Sequence, residues 1–230
     1  MYVKDHMTRN PSTVTPDTTI AKAVEIMGKN NFHRLPVVDD NGVLVGLITQ
    51  GIVEETSGSQ MTSLSIFELN YLLSKRKVSD IMITDVKTTT ADVFLEEAAK
   101  IMIDNNISVL PVVDRDRKVV GIITEKDMFQ AFSDVLGYGK LGTRFVIRCV
   151  DQPGYFQGIA KLFADNLANV VSLAVFHTEE RGTEVVVKAT GEIPVEKMRD
   201  ILLKAGYTVT EIVQTTVDGK RVKHPVKPAA

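Results

Sequence analysis

The chain has no tryptophan and one cysteine, Cys149, among its 230 residues. A single thiol excludes an intramolecular disulfide and any multi-cysteine metal site. The four histidines, His6, His33, His177 and His224, are scattered along the sequence, so no metal site is expected. No run of 18 apolar residues occurs, and the start MYVKDHMTRN has no apolar segment. A soluble, cytoplasmic protein without a membrane partner is expected. The net charge of −2 gives no electrostatic footprint for nucleic acid. Also missing are the Gly-x-Ser-x-Gly elbow, the P-loop and the His-Glu-x-x-His helix. The adjacent pairs Glu54/Glu55 and Glu96/Glu97 point in different directions on a helix and read as solvated faces. With no catalytic constellation, an enzyme is not expected.

What is present is a repeat. Residues 3–53 slide onto 78–128 without a gap and match at 20 of 51 positions. The identities include Val3/Val78, Asp5/Asp80, Met7/Met82, Leu35–Asp39/Leu110–Asp114, Gly46/Gly121 and Thr49/Thr124. Each copy opens on Val-x-Asp-x-Met, a short helical lead-in. Ser12–Thr15 and Lys87–Thr90 then suit a short strand. Ile20, Ala23, Val24 and Met27 recur at helical spacing, as do Leu95, Ala98, Ala99 and Met102. Asp17 and Asp92 stand as N-cap candidates, and Asn30-Asn31 and Asn105-Asn106 as left-handed stops. The Leu-Pro-Val-Val strands predict burial on both faces. Asp40-Asn41-Gly42 predicts a type I′ hairpin turn, and Arg115-Asp116-Arg117, lacking glycine, a looser one. A unit of this size leaves apolar faces that a second copy, related by a pseudo-twofold axis, would cover.

Between the copies, Thr56–Ser59 reads as a loop and Ser65-x-x-Glu68 as a capping box, with Ile66, Leu69, Leu72 and Leu73 as an apolar stripe. Gly137, Gly139 and Gly142 mark a flexible linker. Beyond it the order is strand Arg144–Val150, helix Pro153–Leu167 with Ile159, Phe163 and Leu167 inward, and a hairpin of Val170–His177 and Thr183–Ala189 across Glu180-Arg181-Gly182. Helix Pro194–Ala205, stopped by Gly206, and strand Tyr207–Val213 complete a ferredoxin-like βαββαβ unit. Asp218–Ala230 is expected to fray. The fold class is α+β. The expected division is 1–55, 56–77 and 78–133 for the repeats and their connection, 134–142 for the linker, 143–216 for the third unit and 217–230 for a flexible tail.

The chemistry concentrates at Thr124-x-x-Asp127. One reading is a helix cap, with a carboxylate favoured in the first turn. The other is a nucleotide contact, since a helix N-terminus holds anions and a carboxylate accepts from both hydroxyls of a ribose. His33-Arg34 is either a solvated pair at a turn or a phosphate contact. Met7, Met27, Met82 and Met102 read as core filling.

The two copies, each with its methionine, L-P-V-V-D and G-h-h-T segments, resemble a pair of CBS domains, a Bateman module with pseudo-twofold β-α-β-β-α repeats. The resemblance implies an adenine nucleotide (AMP, ADP, ATP or S-adenosylmethionine) as a regulatory ligand between the copies. It places Asp127 on the ribose, Thr124 on the phosphate side with Ile123 beside it, Thr13, Val14 and Thr15 around the base, and His33 and Arg34 near the phosphates. The mirror cleft, drawing on Thr49, Ile52, Thr88, Thr89, Ser108 and Val109, departs from the pattern. Ile52 replaces the ribose acid and Val109 stands where the first copy has Arg34, so one competent site is expected. The third unit resembles an ACT domain, through Asp151-Gln152-Pro153-Gly154 and Asn169-Val170-Val171. That implies a small-metabolite site, an amino acid above all, at the amides of Gly154, Tyr155 and Phe156, with Asp151 and Asn169 taking the amino group. The alternative is a turn and N-cap. The order CBS–CBS–ACT, with the joining segment 68–82, resembles bacterial acetoin-utilisation proteins. It implies a homodimeric, non-enzymatic regulator with a metabolic enzyme as candidate partner. A structural assembly protein, or an enzyme's detached regulatory subunit, remains the alternative.

Overall fold

The structure is a computed structural model, and it describes residues 1–61, 73–150, 152–180 and 182–227, without the side chains of 57–61. The chain divides into two compact units, Met1–Phe129 and Gln130–Ala230.

In the first unit the elements are α1 (Val3–His6), β1 (Thr8–Arg9), α2 (Ile20–Asn30), β2 (Arg34–Val38), β3 (Leu44–Thr49), α3 (Gln50–Met61), a 3-10 turn (Val78–Asp80), α4 (Leu95–Asp104), β4 (Val109–Val113), β5 (Val119–Thr124) and α5 (Glu125–Val135). The two antiparallel hairpins, β2–β3 and β4–β5, keep the same register, Arg34 opposite Thr49 and Val109 opposite Thr124. The first strand expected in each copy shrinks to one parallel bridge, Val14 to Val37 and Thr89 to Val112.

Each copy lends its lead-in to the other. β1 pairs with β5, Thr8 opposite Ile122, and Ile83 pairs with Leu47 of β3 in the same way. Gly46 and Gly121 make this possible. A Cβ on Gly121 would sit 2.6 Å from Met7 Sδ, and one on Gly46 2.6 Å from Met82 Sδ. Asp5 and Asp80 fix the lead-ins by accepting the backbone N–H of Tyr2 and Lys77, each at 2.9 Å. The hairpin turns also meet, Leu44 N–H donating to Arg117 O at 3.0 Å and Val119 N–H to Gly42 O at 3.2 Å.

Leu35, Val37, Leu110 and Val112 are almost fully buried, as three apolar positions in four demand. Asn31 and Asn106 take the left-handed conformation that stops α2 and α4. Four local expectations change. The caps of α2 and α4 are Thr19 and Phe94, while Asp17 and Asp92 pair with Lys77 and Lys4 instead. The turn at Gly42 is not type I′, since Asn41 keeps negative φ and Asp39 Oδ1 accepts the N–H of Asn41 and Val43. Nor is the second turn looser, for Asp114 Oδ1 accepts from Asp116 and Lys118 at 2.9 Å and Arg117 takes a φ of +59° where Gly42 has +81°. Thr56–Ser59 continue α3 rather than forming a loop. The capping box Ser65–Glu68 and its stripe Ile66, Leu69 and Leu72 lie outside the described residues. Leu73 packs on the core of the first copy.

The second unit holds β6 (Gly142–Cys149), α6 (Tyr155–Asp165), β7 (Asn169–Thr178), β8 (Gly182–Thr190), α7 (Val195–Lys204), β9 (Thr208–Thr215) and β10 (Arg221–Lys223). They form one antiparallel sheet in the order β10-β9-β6-β8-β7. Ile159 and Phe163 of α6 and Met198 and Leu202 of α7 cluster with Phe145, Ile147, Val185 and Val187 of the sheet. Leu167, expected inward, is 88% exposed because it ends α6 at positive φ. The glycine-rich segment is tied down rather than loose, since Ser172 Oγ donates to Leu136 O at 3.0 Å and Lys188 Nζ to Gly137 O at 2.7 Å. The tail does not fray at once, because β10 extends the sheet and Arg199 Nη1 donates to Pro225 O at 3.2 Å.

Candidate functional site

At the start of α5, Thr124 and Asp127 clasp each other. Asp127 Oδ2 accepts the backbone N–H of Thr124 at 2.8 Å and its hydroxyl at 2.7 Å, while Asp127 N–H donates to Thr124 Oγ1 at 3.4 Å. This reciprocal bonding satisfies orphan donors of the helix start, as a cap must. Both bonds that the carboxylate accepts fall on Oδ2, so Oδ1 remains as an acceptor facing no donor among the described residues. The twin helix start has only half of this device. Ile52 N–H donates to Thr49 Oγ1 at 3.2 Å, and no carboxylate answers.

The first copy reaches this helix start through Arg34. Its guanidinium donates to Ser108 Oγ, and Ser108 O accepts the N–H of Glu125, the first residue of α5, at 3.1 Å. Arg34 is thus tied through Ser108 to the first residue of α5, which follows Thr124 in the chain. His33 instead has its carbonyl on Gln50 N–H at 2.9 Å, at the start of α3.

The remaining expected contacts are not brought in by their side chains. Val14 is 4% exposed and Ile123 fully buried, each held within a close-packed core. A core side chain offers a ligand nothing without opening that core, so any contact from these two falls to their backbone. Thr13 flanks Val14, whose bridge places it in the sheet of β2 and β3 rather than that of β5. Thr15 spends its polar groups on Thr18, its N–H and hydroxyl lying 3.1 Å from Thr18 Oγ1.

A cavity of about 690 Å³ opens on the other side, at the mirror cleft. His33 and Arg34 line it together with Thr49, Glu54, Lys87 and Ser108. Its volume falls within the ~300–1,000 Å³ range of small-molecule pockets. The mirror cleft therefore lacks the ribose acid of its motif but has space and three basic side chains. Glu54, read from sequence as a solvated face, is one of its walls, where Gln50 Nε2 donates to Glu54 Oε1 at 2.7 Å. Lys87 gave no signal in sequence beyond opening an apparent strand, since it matches no motif.

In the second unit, Gly154 caps α6 with a φ of +84° and Tyr155 donates its hydroxyl to Arg148 O at 3.1 Å. Burial, then the neighbouring Cys149 and Tyr207, holds that hydroxyl above the ordinary tyrosine range. Phe156 is half exposed, and Asp151 lies outside the described residues. Asn169 does not join them. It pairs with Thr190 at one end of the sheet, level with Thr143, whereas Gly154 follows Cys149 at the other end. The 11 residues of α6 carry the chain roughly 16 Å between those ends. The expected five-residue set does not assemble within one chain.

Among the described residues, no group of three or more His, Cys, Asp or Glu is placed to hold a metal ion. No described helix is long and apolar enough to cross a membrane.

The CBS domain model matches residues 3–53 and 78–134. A CBS domain-containing protein of Dictyostelium discoideum is 33% identical over 136 residues, spanning 59% of this chain and 94% of that protein. An inosine-5'-monophosphate dehydrogenase of Methanocaldococcus jannaschii is 28% identical over 219 residues, 87% of this chain, which spans only 40% of that enzyme's length. A crystal structure assigned to the acetoin utilization protein AcuB of Vibrio cholerae matches with a TM-score of 0.50 and 29% identity, over 60% of this chain and 93% of that one.

Proposed function

Since the chain belongs to the CBS-domain family, with two copies at 3–53 and 78–134, we propose that it is a non-enzymatic regulatory protein sensing an adenine nucleotide. The observation that carries this reading is the clasp of Thr124 and Asp127 at a helix start whose next residue, Glu125, is tied through Ser108 to Arg34. Asp127 offers its unused oxygen to the ribose hydroxyls, while Thr124 and Arg34 serve the phosphate side. AMP, ADP, ATP and S-adenosylmethionine are the candidate ligands.

A second reading places the nucleotide in the 690 Å³ cleft, favoured by its volume and by His33, Arg34 and Lys87 on its walls. Calorimetry with the four nucleotides decides between them. Loss of binding in Asp127→Ala with binding kept in Lys87→Ala supports the first site, and the opposite pattern the second. No binding below millimolar by any of the four defeats the nucleotide reading itself.

The finer physiology rests on resemblance. A role in acetoin utilisation is supported by the likeness to AcuB, and a cytoplasmic location and a metabolic enzyme partner belong to the same proposal. An ACT identity for the second unit is supported by its βαββαβ order and by β9-β6-β8-β7 pairing, which are those of a ferredoxin-like split βαβ fold. Its metabolite site at Gly154, Tyr155 and Phe156 then needs a second chain to complete it. Homodimerisation is supported by Ile103 at 74% and Phe129 at 68% exposure, which line a groove between α4 and α5.

A further inference from the structure

On the second unit, β6 and β8 set Arg144 directly opposite Lys188, two cations paired across a ladder. Like charges so placed repel, yet Lys188 is only 5% exposed, and Arg144, half-buried as a residue, has its Nε buried without a hydrogen-bond partner among the described residues. Lys188 Nζ makes one bond, to Gly137 O at 2.7 Å, of the three an ammonium can donate. Arg221 of β10 completes the group, its guanidinium 5.8 Å from the ring centroid of Tyr138. These three cations line a cavity of about 170 Å³ closed by the turn at Gly137 and Gly139, and no carboxylate among the described residues lines it. Burial, and then Arg144, Arg221 and Lys140, hold the Lys188 ammonium below the ordinary lysine range.

Buried cations without a counter-charge are costly, and several N–H donors converging on one small space fit an oxyanion. The cavity is too small for a nucleotide, being below the ~300–1,000 Å³ of small-molecule pockets. We propose that Arg144, Lys188 and Arg221 form a binding site for a small tetrahedral oxyanion, inorganic phosphate in chemical class, separate from the nucleotide site.

The test is calorimetry and thermal unfolding of the full chain with sodium phosphate, against sodium chloride at equal ionic strength. Saturable phosphate binding and a rise in Tm absent from chloride are expected, with affinity at least tenfold weaker in Arg144→Met and Arg221→Gln. Arg221 lies on an exposed strand, so Arg221→Gln keeps the test valid if Arg144→Met fails to fold. Lys188→Met should raise Tm without phosphate and abolish the further rise with it, which a purely structural lysine would not do. Asp127→Ala must leave the phosphate response intact, even though it loses the nucleotide. Phosphate acting no differently from chloride, or equally on the arginine variants, overturns the proposal. A response lost in Asp127→Ala does so too, by assigning the anion to the nucleotide site. AMP tested in the Asp127→Ala chain separates a phosphoryl group carried on a nucleotide from free phosphate, and a response to AMP alone counts against the site.

Discussion

The exchange of lead-ins between the two copies can be tested at a single atom. In Gly121→Ala the new Cβ would stand 2.6 Å from Met7 Sδ, 3.1 Å from Thr8 O and 3.3 Å from Met7 Cε. Ordinary carbon contacts settle near ~3.5–4.0 Å, so at least one neighbour must move. Met7 has three rotatable bonds and can swing aside, but Thr8 O is held by the pairing of β1 with β5. Overpacking of this kind costs about 1–3 kcal/mol, and the fixed carbonyl places the expected loss near ~2 kcal/mol. Urea unfolding of wild type, Gly121→Ala, Met7→Ala and the double variant measures it. Since Sδ is the closest contact, the double variant should recover on the order of 1 kcal/mol of coupling. Gly46→Ala, which meets Met82 Sδ at 2.6 Å and Ile83 O at 3.0 Å, should behave as its twin. A Gly121→Ala chain as stable as wild type in either Met7 background would mean that Met7 does not seat on Gly121, and the exchanged pairing would fall with it.

Arg117→Gly should stabilise the chain by about 0.5–1 kcal/mol, the left-handed strain of an L residue less the extra freedom glycine adds to the unfolded chain; an unchanged urea midpoint would contradict the φ of +59° at Arg117. Thr89→Val, which copies Val14 from the first copy, should gain about 1 kcal/mol because the buried Thr89 Oγ1 has no partner among the described residues; a loss would reveal a partner for that hydroxyl. Asp127→Ala should lower stability by about 0.5–2 kcal/mol through the cap alone, so its effect on Tm without nucleotide must be subtracted from any loss of nucleotide-linked stabilisation. Hydrogen bonds from Lys29 and then Lys22 hold the exposed Glu25 carboxyl down to about 2. A carboxylate lowered on folding adds stability above its unfolded value of about 4.3 and loses it as pH falls toward the folded one. An NMR titration should show Glu25 ionising at low pH, with the midpoint rising in Lys29→Ala and in high salt, and an ordinary midpoint would refute the pairing.

Much of the first unit was legible because its identities fall where geometry leaves little choice. Leu35, Val37, Leu110 and Val112 fill buried ladder positions, Gly46 and Gly121 admit a methionine, and Asp39 and Asp114 anchor the two turns. The exchange of β1 was hidden, since two residues, Thr8 and Arg9, carry no period and their partner β5 lies over a hundred residues away. The second turn misled because glycine was taken as the requirement, whereas the bonds accepted by Asp114 hold Arg117 at positive φ without it. Glycines at 137 and 139 read as flexibility, but their turn is held by Ser172 and Lys188, whose side chains no local pattern connects to it. At the site, sequence singled out Thr124 and Asp127, which clasp each other, and Arg34, which bonds to Ser108. It could not see that Val14 and Ile123 are core, because a β-branched residue next to a polar motif looks the same on either face of a strand. Asn169 was misplaced for a similar reason, since a motif at each end of a helix carries no sign of which end of the sheet it reaches.

Symmetry of the fold and asymmetry of the chemistry have separate physical causes. Close contacts such as Gly121 on Met7 are duplicated because each copy must receive the other's lead-in, and a change on one side alone opens a clash or a void. The first turns of α3 and α5 bear no such constraint. A threonine alone suffices at Thr49, where Ile52 N–H is satisfied at 3.2 Å, so the carboxylate of Asp127 is more than the cap requires. The surplus is one acceptor oxygen at the helix start, and a ligand that uses it need not break either bond to Thr124. Such a ligand shifts the protein only through its differential affinity for two arrangements. A micromolar nucleotide binds with about 8 kcal/mol, of which about 1–3 kcal/mol commonly appears as coupling. That is comparable to the estimated cost of the cap itself. Asp127→Asn therefore separates the two roles better than alanine: the amide retains an oxygen for the Thr124 bonds but loses the charge and the second acceptor. Near-wild-type stability with weakened nucleotide binding is the expected result, and equal binding by the asparagine and wild-type chains would reduce Asp127 to a cap.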